Sequence, residues 1–306
     1  MHPAASVIFF TVFSGAGFGL LILMGLATHS SATPSTGFLV VHFGLAFAMA
    51  VAGLISSTFH LGHPERAWRA LTQWRSSWLS REGVLAVLTL AVAGLYALLW
   101  VFFDAPISVL GWVSTILAVL TVYATGMIYA QIKAVQLWNR TLTPVCYLLF
   151  SLAGGALLFL MLHAVFFGEA GWFLSSVALV LLVVAWAAKI FWWILGDKIT
   201  PLSTTESATG LGKIGATRLL EAPHTSSNYL MKEMGYQIGR KHAAKLRIIA
   251  ILLGAVLPII LILVALPAPA DAFWLILALV SHLAGMLTER WLFFAEAKHA
   301  VMTFYT

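Results

Sequence analysis

His60, His63 and Glu82 are the residues whose types and spacing first suggest chemistry. They lie in the run STFHLGHPERAWRALTQWRSSWLSREG, residues 57–83, where Pro64 forces a change of direction after an apolar segment. Imidazole titrates near neutrality, and a carboxyl group close by can receive or relay a proton. A quinone head group needs that combination, because its two-electron reduction or oxidation also moves two protons. In this reading His60 hydrogen-bonds a quinone carbonyl or hydroxyl and Glu82 connects it to water. His63 and Arg66 flank the head group, while Trp68, Trp74 and Trp78 line an apolar slot. A structural alternative stands beside it: His60 caps its helix, Glu82 pairs with Arg81 or Arg66, and the tryptophans are interfacial anchors.

Three further histidines, His42, His163 and His282, fall within long apolar runs, where ionisable groups are expected to have a role. His42 and His163 are expected at similar depths near the outer leaflet, which makes them a candidate axial pair for haem b iron. Interhelical hydrogen bonding or an outer proton path is the other reading. His282 is expected nearer mid-membrane, and His299 in an interfacial polar cluster with Glu289, Arg290 and Glu296.

These residues must be positioned by helices that cross a bilayer. Of the 306 residues 61% are hydrophobic and only 9% charged, a composition that excludes an ordinary water-soluble domain. The apolar runs 5–28, 38–59, 84–103, 107–130, 143–167, 171–195, 248–267 and 272–294 are each long enough to span about 30 Å of hydrocarbon as a helix. The expected fold is therefore all-α, a polytopic transmembrane bundle of eight helices forming a single integral membrane domain over residues 1–306. The first segment reads as a retained helix rather than a signal peptide.

All 17 lysines and arginines are assigned to one face. Arg66, Arg69, Arg75 and Arg81 crowd the second connector, Lys133 and Arg140 flank the fourth, and most of the rest lie in connector 196–247. Connectors 29–37, 104–106, 168–170 and 268–271 hold none. The inside-positive rule then places both termini and the basic connectors on the cytoplasmic side of a bacterial inner membrane. It also accounts for the net charge of +6, so no nucleic-acid partner is expected.

Connector 196–247 is longer than a simple link requires. Its latter part, Asn228–Arg247, mixes basic residues with Tyr229, Met231, Met234, Tyr236 and Ile238. It is read either as a docking segment for a peripheral cytoplasmic subunit or as an extension lying on lipid. Gly15, Gly17, Gly19, Gly154 and Gly155 allow close helix packing or room for a cofactor edge. The single cysteine, Cys146, cannot hold an iron–sulfur cluster, and no nucleotide-binding loop or zinc motif is present. Much of the chemistry is thus expected in another subunit or a bound organic cofactor. A small-solute transporter would favour duplicated halves and broken helices; a purely structural anchor would make no use of His60.

The segments FFTVFSGAGFG, FHLGHPERAWRAL with WLSREG, the TP of Thr143–Pro144 and LAGMLTERWLFF resemble the membrane anchor subunits of the dimethyl sulfoxide reductase type, particularly the anchor of membrane-bound sulfite dehydrogenase. The resemblance covers nearly the whole sequence. It implies a quinone-binding anchor, using ubiquinone or menaquinone, for a cytoplasmic iron–sulfur subunit with [4Fe–4S] clusters and a catalytic subunit with molybdenum bis-pyranopterin. By resemblance His60 matches the family's quinol-site histidine and Glu82 its acidic residue at the start of helix three. The implied activity is sulfite:quinone oxidoreduction, with dimethyl sulfoxide, polysulfide or related molybdoenzymes as the alternative. Two departures are evident: the reductase anchors carry their partners outside and look haem-free, whereas the charge pattern here points inside and His42, His163 and His282 are present.

Overall fold

A computed structural model of the protein describes residues 3–27, 34–201, 203–218, 220–221, 226, 231, 234, 238–266 and 272–304. Eight helices among them are long and apolar enough to cross a membrane: α1 (Ala5–Leu26), α2 (Thr36–Ser56), α3 (Trp78–Phe103), α4 (Ser108–Ala130), α5 (Leu142–Phe167), α6 (Trp172–Asp197), α7 (Ala243–Ala265) and α8 (Ala272–Ala295). No strand occurs among the described residues. The protein is a multi-pass membrane protein with the expected all-α bundle.

α3 and α7 begin earlier than hydropathy predicts, at Trp78 and Ala243 rather than 84 and 248. Ser77 supplies the start of α3, its hydroxyl accepting from the Ser80 N–H. The polar pair Arg81 and Glu82 is consequently helical, and Glu82 belongs to the first turns of α3 rather than to its approach.

α1 and α5 are the most enclosed helices. They meet backbone to backbone, because a Cβ on Gly19 would collide with the Ser151 carbonyl and one on Gly155 with Gly19. Dispersion then acts over the full contact, the principal source of helix association where lipid offers no hydrophobic gain. Gly285 of α8 presses in the same way on Gly254 of α7. Gly15 and Gly154 behave differently: nothing lies within 4 Å of a Cβ on Gly15, and both glycines border an internal cavity.

α7 is interrupted by a π-helical turn, Leu252–Val256. The cause is Pro258, which has no N–H to return to the Gly254 carbonyl four residues back. The Leu257 N–H reaches Leu252 O instead. This leaves Leu253 O and Gly254 O for side chains: Ser281 Oγ donates to Leu253 O at 2.7 Å, and Trp186 Nε1 and His282 Nδ1 donate to Gly254 O at 2.9 and 2.8 Å. One proline thus ties α6, α7 and α8 together inside the bundle.

The basic connectors are stitched into one face. Trp138 Nε1 donates to Phe293 O, Arg140 to Leu195 O, and the Ala300 N–H to Ala134 O. Arg247 forms a fork on Asp197 at 2.7 and 2.9 Å and reaches Glu296 at 2.8 Å. Within connector 196–247 the described residues include a short self-capped helix, Thr205–Thr209, and Ile238–Lys241. Tyr229 and Tyr236 lie outside the described residues, as do Asp271 and residues 28–33.

Replacing Gly155 by Leu is expected to destabilise the protein by more than about 1–3 kcal/mol through overpacking. Gly44→Ala, at an unobstructed position, should leave stability equal or slightly higher. Thermal unfolding of the two variants in detergent measures the contrast.

Candidate functional site

Segment 57–77 leaves α2 as a turn of 3-10 helix, Ser57–His60, and continues after Pro64 as a second, Pro64–Gln73. Its attachment to α3 is through Arg81, which donates to Trp74 O at 3.0 Å and Arg75 O at 2.7 Å, and through Leu71, which fills the space over Gly83. His60 is exposed. His63 Nδ1 donates to Glu65 at 3.0 Å, and Arg66 pairs with the same carboxylate at 3.6 Å.

The tryptophans do not form one slot. Trp68 is 63% and Trp74 53% exposed, each with its following arginine, Arg69 or Arg75, over the ring. Trp78 packs edge-on against Tyr123 of α4, with Arg81 above it at 4.4 Å. Phe59, Leu61 and Leu71 are exposed beside these rings. The result is an apolar and basic surface at the membrane boundary.

Glu82 and His60 part company here. Successive helical residues diverge by about 100°, so while Arg81 faces the connector, Glu82 turns inward and is only 4% exposed. Its carboxylate accepts from Thr125 Oγ1 of α4 at 3.2 Å. Among the described residues it forms no ion pair with Arg81 or Arg66, which removes the surface-pairing alternative. Thr89 and Thr121 bond one another at 2.9 Å farther along the same α3–α4 contact.

His42 is fully buried near the face opposite the basic connectors, with Nδ1 donating to Phe38 O at 2.7 Å. Since a carbonyl only accepts, Nε2 is the bare nitrogen; it has no hydrogen-bond partner. His163 donates from Nδ1 to Glu169 O at 3.1 Å. A bis-histidine haem needs both imidazoles to face an open slot. Here Phe38 lies on the His42 ring at 3.7 Å, Phe167 on His163 at 4.6 Å, and the two phenylalanines meet at 5.5 Å. Phenyl rings thus link the imidazoles, and in this packing the pair does not fit a haem.

Sequence reasoning missed Lys189, Glu289 and Arg290 as a buried group. Lys189, assigned with all other cations to the basic face, is inside α6; Glu289 and Arg290, expected at the interface with His299, are inside α8. Lys189 Nζ contacts Glu289 Oε1 at 2.5 Å and Arg290 Nε contacts Oε2 at 3.3 Å. Aromatic faces complete the solvation: Trp192 lies 3.6 Å from Lys189 and Tyr147 3.9 Å from Arg290. Desolvated cation–π contacts of this kind contribute about 2 kcal/mol. The signal available in the sequence was helical spacing, since Lys189, Trp192 and Trp193 share one side of α6. His299 itself is half-buried, its Nδ1 accepting the Val301 N–H.

Glu82, Thr125, Tyr147, Lys189, Glu289 and Arg290 all lie about one to two turns inside the basic face, a polar layer within the bundle. Cys146 is buried beside it. Among the described residues no group of three or more His, Cys, Asp or Glu could hold a metal ion.

Residues 1–295 match the family described as "DMSO reductase anchor subunit (DmsC)". The protein is 31% identical to the C component of sulfite dehydrogenase from Allochromatium vinosum over an alignment of 324 residues, which takes in 100% of this sequence and 99% of the other. It is 30% identical over 190 residues to the C component of anaerobic dimethyl sulfoxide reductase from Escherichia coli, taking in 59% of this sequence and 66% of the other. The corresponding Haemophilus influenzae protein is 29% identical over 154 residues, or 49% and 54% of the two sequences. No solved structure matches.

Glu289→Gln leaves Lys189 and Arg290 as two buried cations without a counter-charge and is expected to cost about 3–5 kcal/mol. Lys189→Met, which leaves the neutral Glu289–Arg290 pair, should cost less. The midpoints of thermal unfolding of both variants in detergent check that order.

Proposed function

The protein belongs to the DMSO reductase anchor subunit family, and we propose that within it this member anchors a sulfite-oxidising complex and delivers its electrons to membrane quinone. The end-to-end alignment with a sulfite dehydrogenase component, against partial alignments with the dimethyl sulfoxide reductase ones, favours sulfite over the sulfoxide reading. Family membership implies partnership with iron–sulfur and catalytic subunits; molybdenum chemistry belongs to the catalytic one. The basic connectors support a docking face on the cytoplasmic side.

The carrying observation is the pairing of an exposed histidine segment with a buried carboxyl on the same face: His60 at the end of α2, and Glu82 bonded to Thr125 within α3. Quinone approaches from the lipid at that level, with His60 orienting an oxygen of the head group by hydrogen bonding. Electrons arrive from the partner subunit, and the two protons that reduction requires come from the basic face, with Glu82 as an intermediate carrier. His63 and Arg66, bound to Glu65, hold the segment beside the site. The exposed Phe59, Leu61, Trp68, Leu71 and Trp74, with Arg66, Arg69 and Arg75 among them, form the docking face for the iron–sulfur subunit. Large aromatic residues mixed with arginine are the usual composition of such contacts.

His60→Ala and Glu82→Gln are each expected to lower quinone-linked turnover of the intact complex by about 10²-fold, normalised to turnover with a water-soluble acceptor in the same preparation. Equal quinone turnover in both variants and the native complex would remove this site. Trp68→Glu with Trp74→Glu should instead reduce recovery of the peripheral subunits when the complex is purified through this anchor.

A further inference from the structure

Between α1, α4, α5 and α8 lies a cavity of about 20 Å³, bordered by Ser14, Thr125, Tyr147, Ser151, His282 and Arg290 among others. That volume accommodates about one water, which requires two to four polar partners. His282 is 1% exposed. Its Nδ1 is committed as a donor to Gly254 O, so Nε2 is a bare acceptor; it has no hydrogen-bond partner. The backbone of Gly154 makes the room, since a Cβ there would stand 3.8 Å from this nitrogen and 3.3 Å from the Ala16 Cβ. Thr125, which also borders the cavity, carries the hydroxyl that bonds Glu82.

We propose that this cavity binds water and that Thr125, the water and His282 form an inner proton path leading from Glu82 into the bundle. An unpartnered, fully buried imidazole nitrogen facing a water-sized polar cavity calls for a donor there, and water is the ligand of that size. Thr125 has one proton and two acceptors in reach, Glu82 Oε1 at 3.2 Å and Thr121 O at 3.1 Å, so its hydroxyl can turn between them. A transfer is balanced without a further reactant. The Glu82 carboxyl releases its proton to Thr125 Oγ1, the Thr125 proton passes to the water, and a water proton passes to His282 Nε2. The net products are a Glu82 carboxylate and a His282 imidazolium, and the reverse sequence reloads the carboxyl group. Pro258 makes His282 available by releasing the Gly254 carbonyl that holds its ring. The functional part rests on the reading of Glu82 as a proton carrier for quinone; the water site does not.

The test uses the intact complex. A high-resolution cryo-electron microscopy map should show ordered density within hydrogen-bond distance of His282 Nε2 and Thr125 Oγ1, lost in Gly154→Ala; a dry cavity in the native map overturns the proposal. Thr125→Val and Gly154→Ala should each lower quinone-linked kcat at least about tenfold with KM for quinone unchanged, and Thr125→Ser should restore it. Density present with unaltered kcat in both variants overturns the path. If the native complex shows no quinone-linked turnover, the quinone reading fails and the path falls with it, while the map still decides the water site.

Discussion

A bilayer supplies no hydrogen-bond partners, so every polar group placed in it must find one inside the protein. The interior of this bundle is arranged around that constraint. It explains why the loss of a single backbone donor at Pro258 draws side chains from two other helices, Trp186 from α6 and Ser281 and His282 from α8, onto carbonyls of α7. It also explains why Lys189, Glu289 and Arg290 occur together and why aromatic faces cover both cations. A lone charge at that depth would have to be neutralised or exposed.

The same constraint divides the basic face into two parts with different duties. Its lower layer, from Glu82 to the Lys189–Glu289–Arg290 group, is enclosed. Its upper layer, residues 59–76, spreads aromatic and basic side chains with little covering them in the isolated protein. Arg81 and Glu82 mark the transition: adjacent in sequence, they point into different layers because a helix turns about 100° per residue. A partner that covers the upper layer would sit above a carboxyl group that is already inside the protein.

Small residues govern what space remains. Gly19 and Gly155 bring α1 and α5 into backbone contact, leaving no volume there. Gly15 and Gly154, about one helical turn away or less on the same two helices, instead leave the cavity beside His282. Closeness and room are therefore made by the same residue type on the same pair of helices, and the difference lies only in which side of each helix faces the other.

Hydropathy and charge were sufficient to determine eight crossings, their order and the single basic face, because a span requires about 20 apolar residues and cationic connectors stay on one side. Motif resemblance singled out His60 and Glu82 as candidates, and separately named the family to which the protein belongs. Tertiary structure alone decided that Glu82 is turned inward onto Thr125, that Trp68 and Trp74 stay outside, and that phenylalanine rings link His42 to His163. It alone revealed the pairing of Lys189 with Glu289. The reason is rotational: sequence specifies how deep a residue sits along a transmembrane helix, but a helix apolar on all sides carries little information about which side meets which neighbour. That choice is made by glycine contacts, freed carbonyls and paired charges distant in the sequence, which become visible only when the helices are assembled.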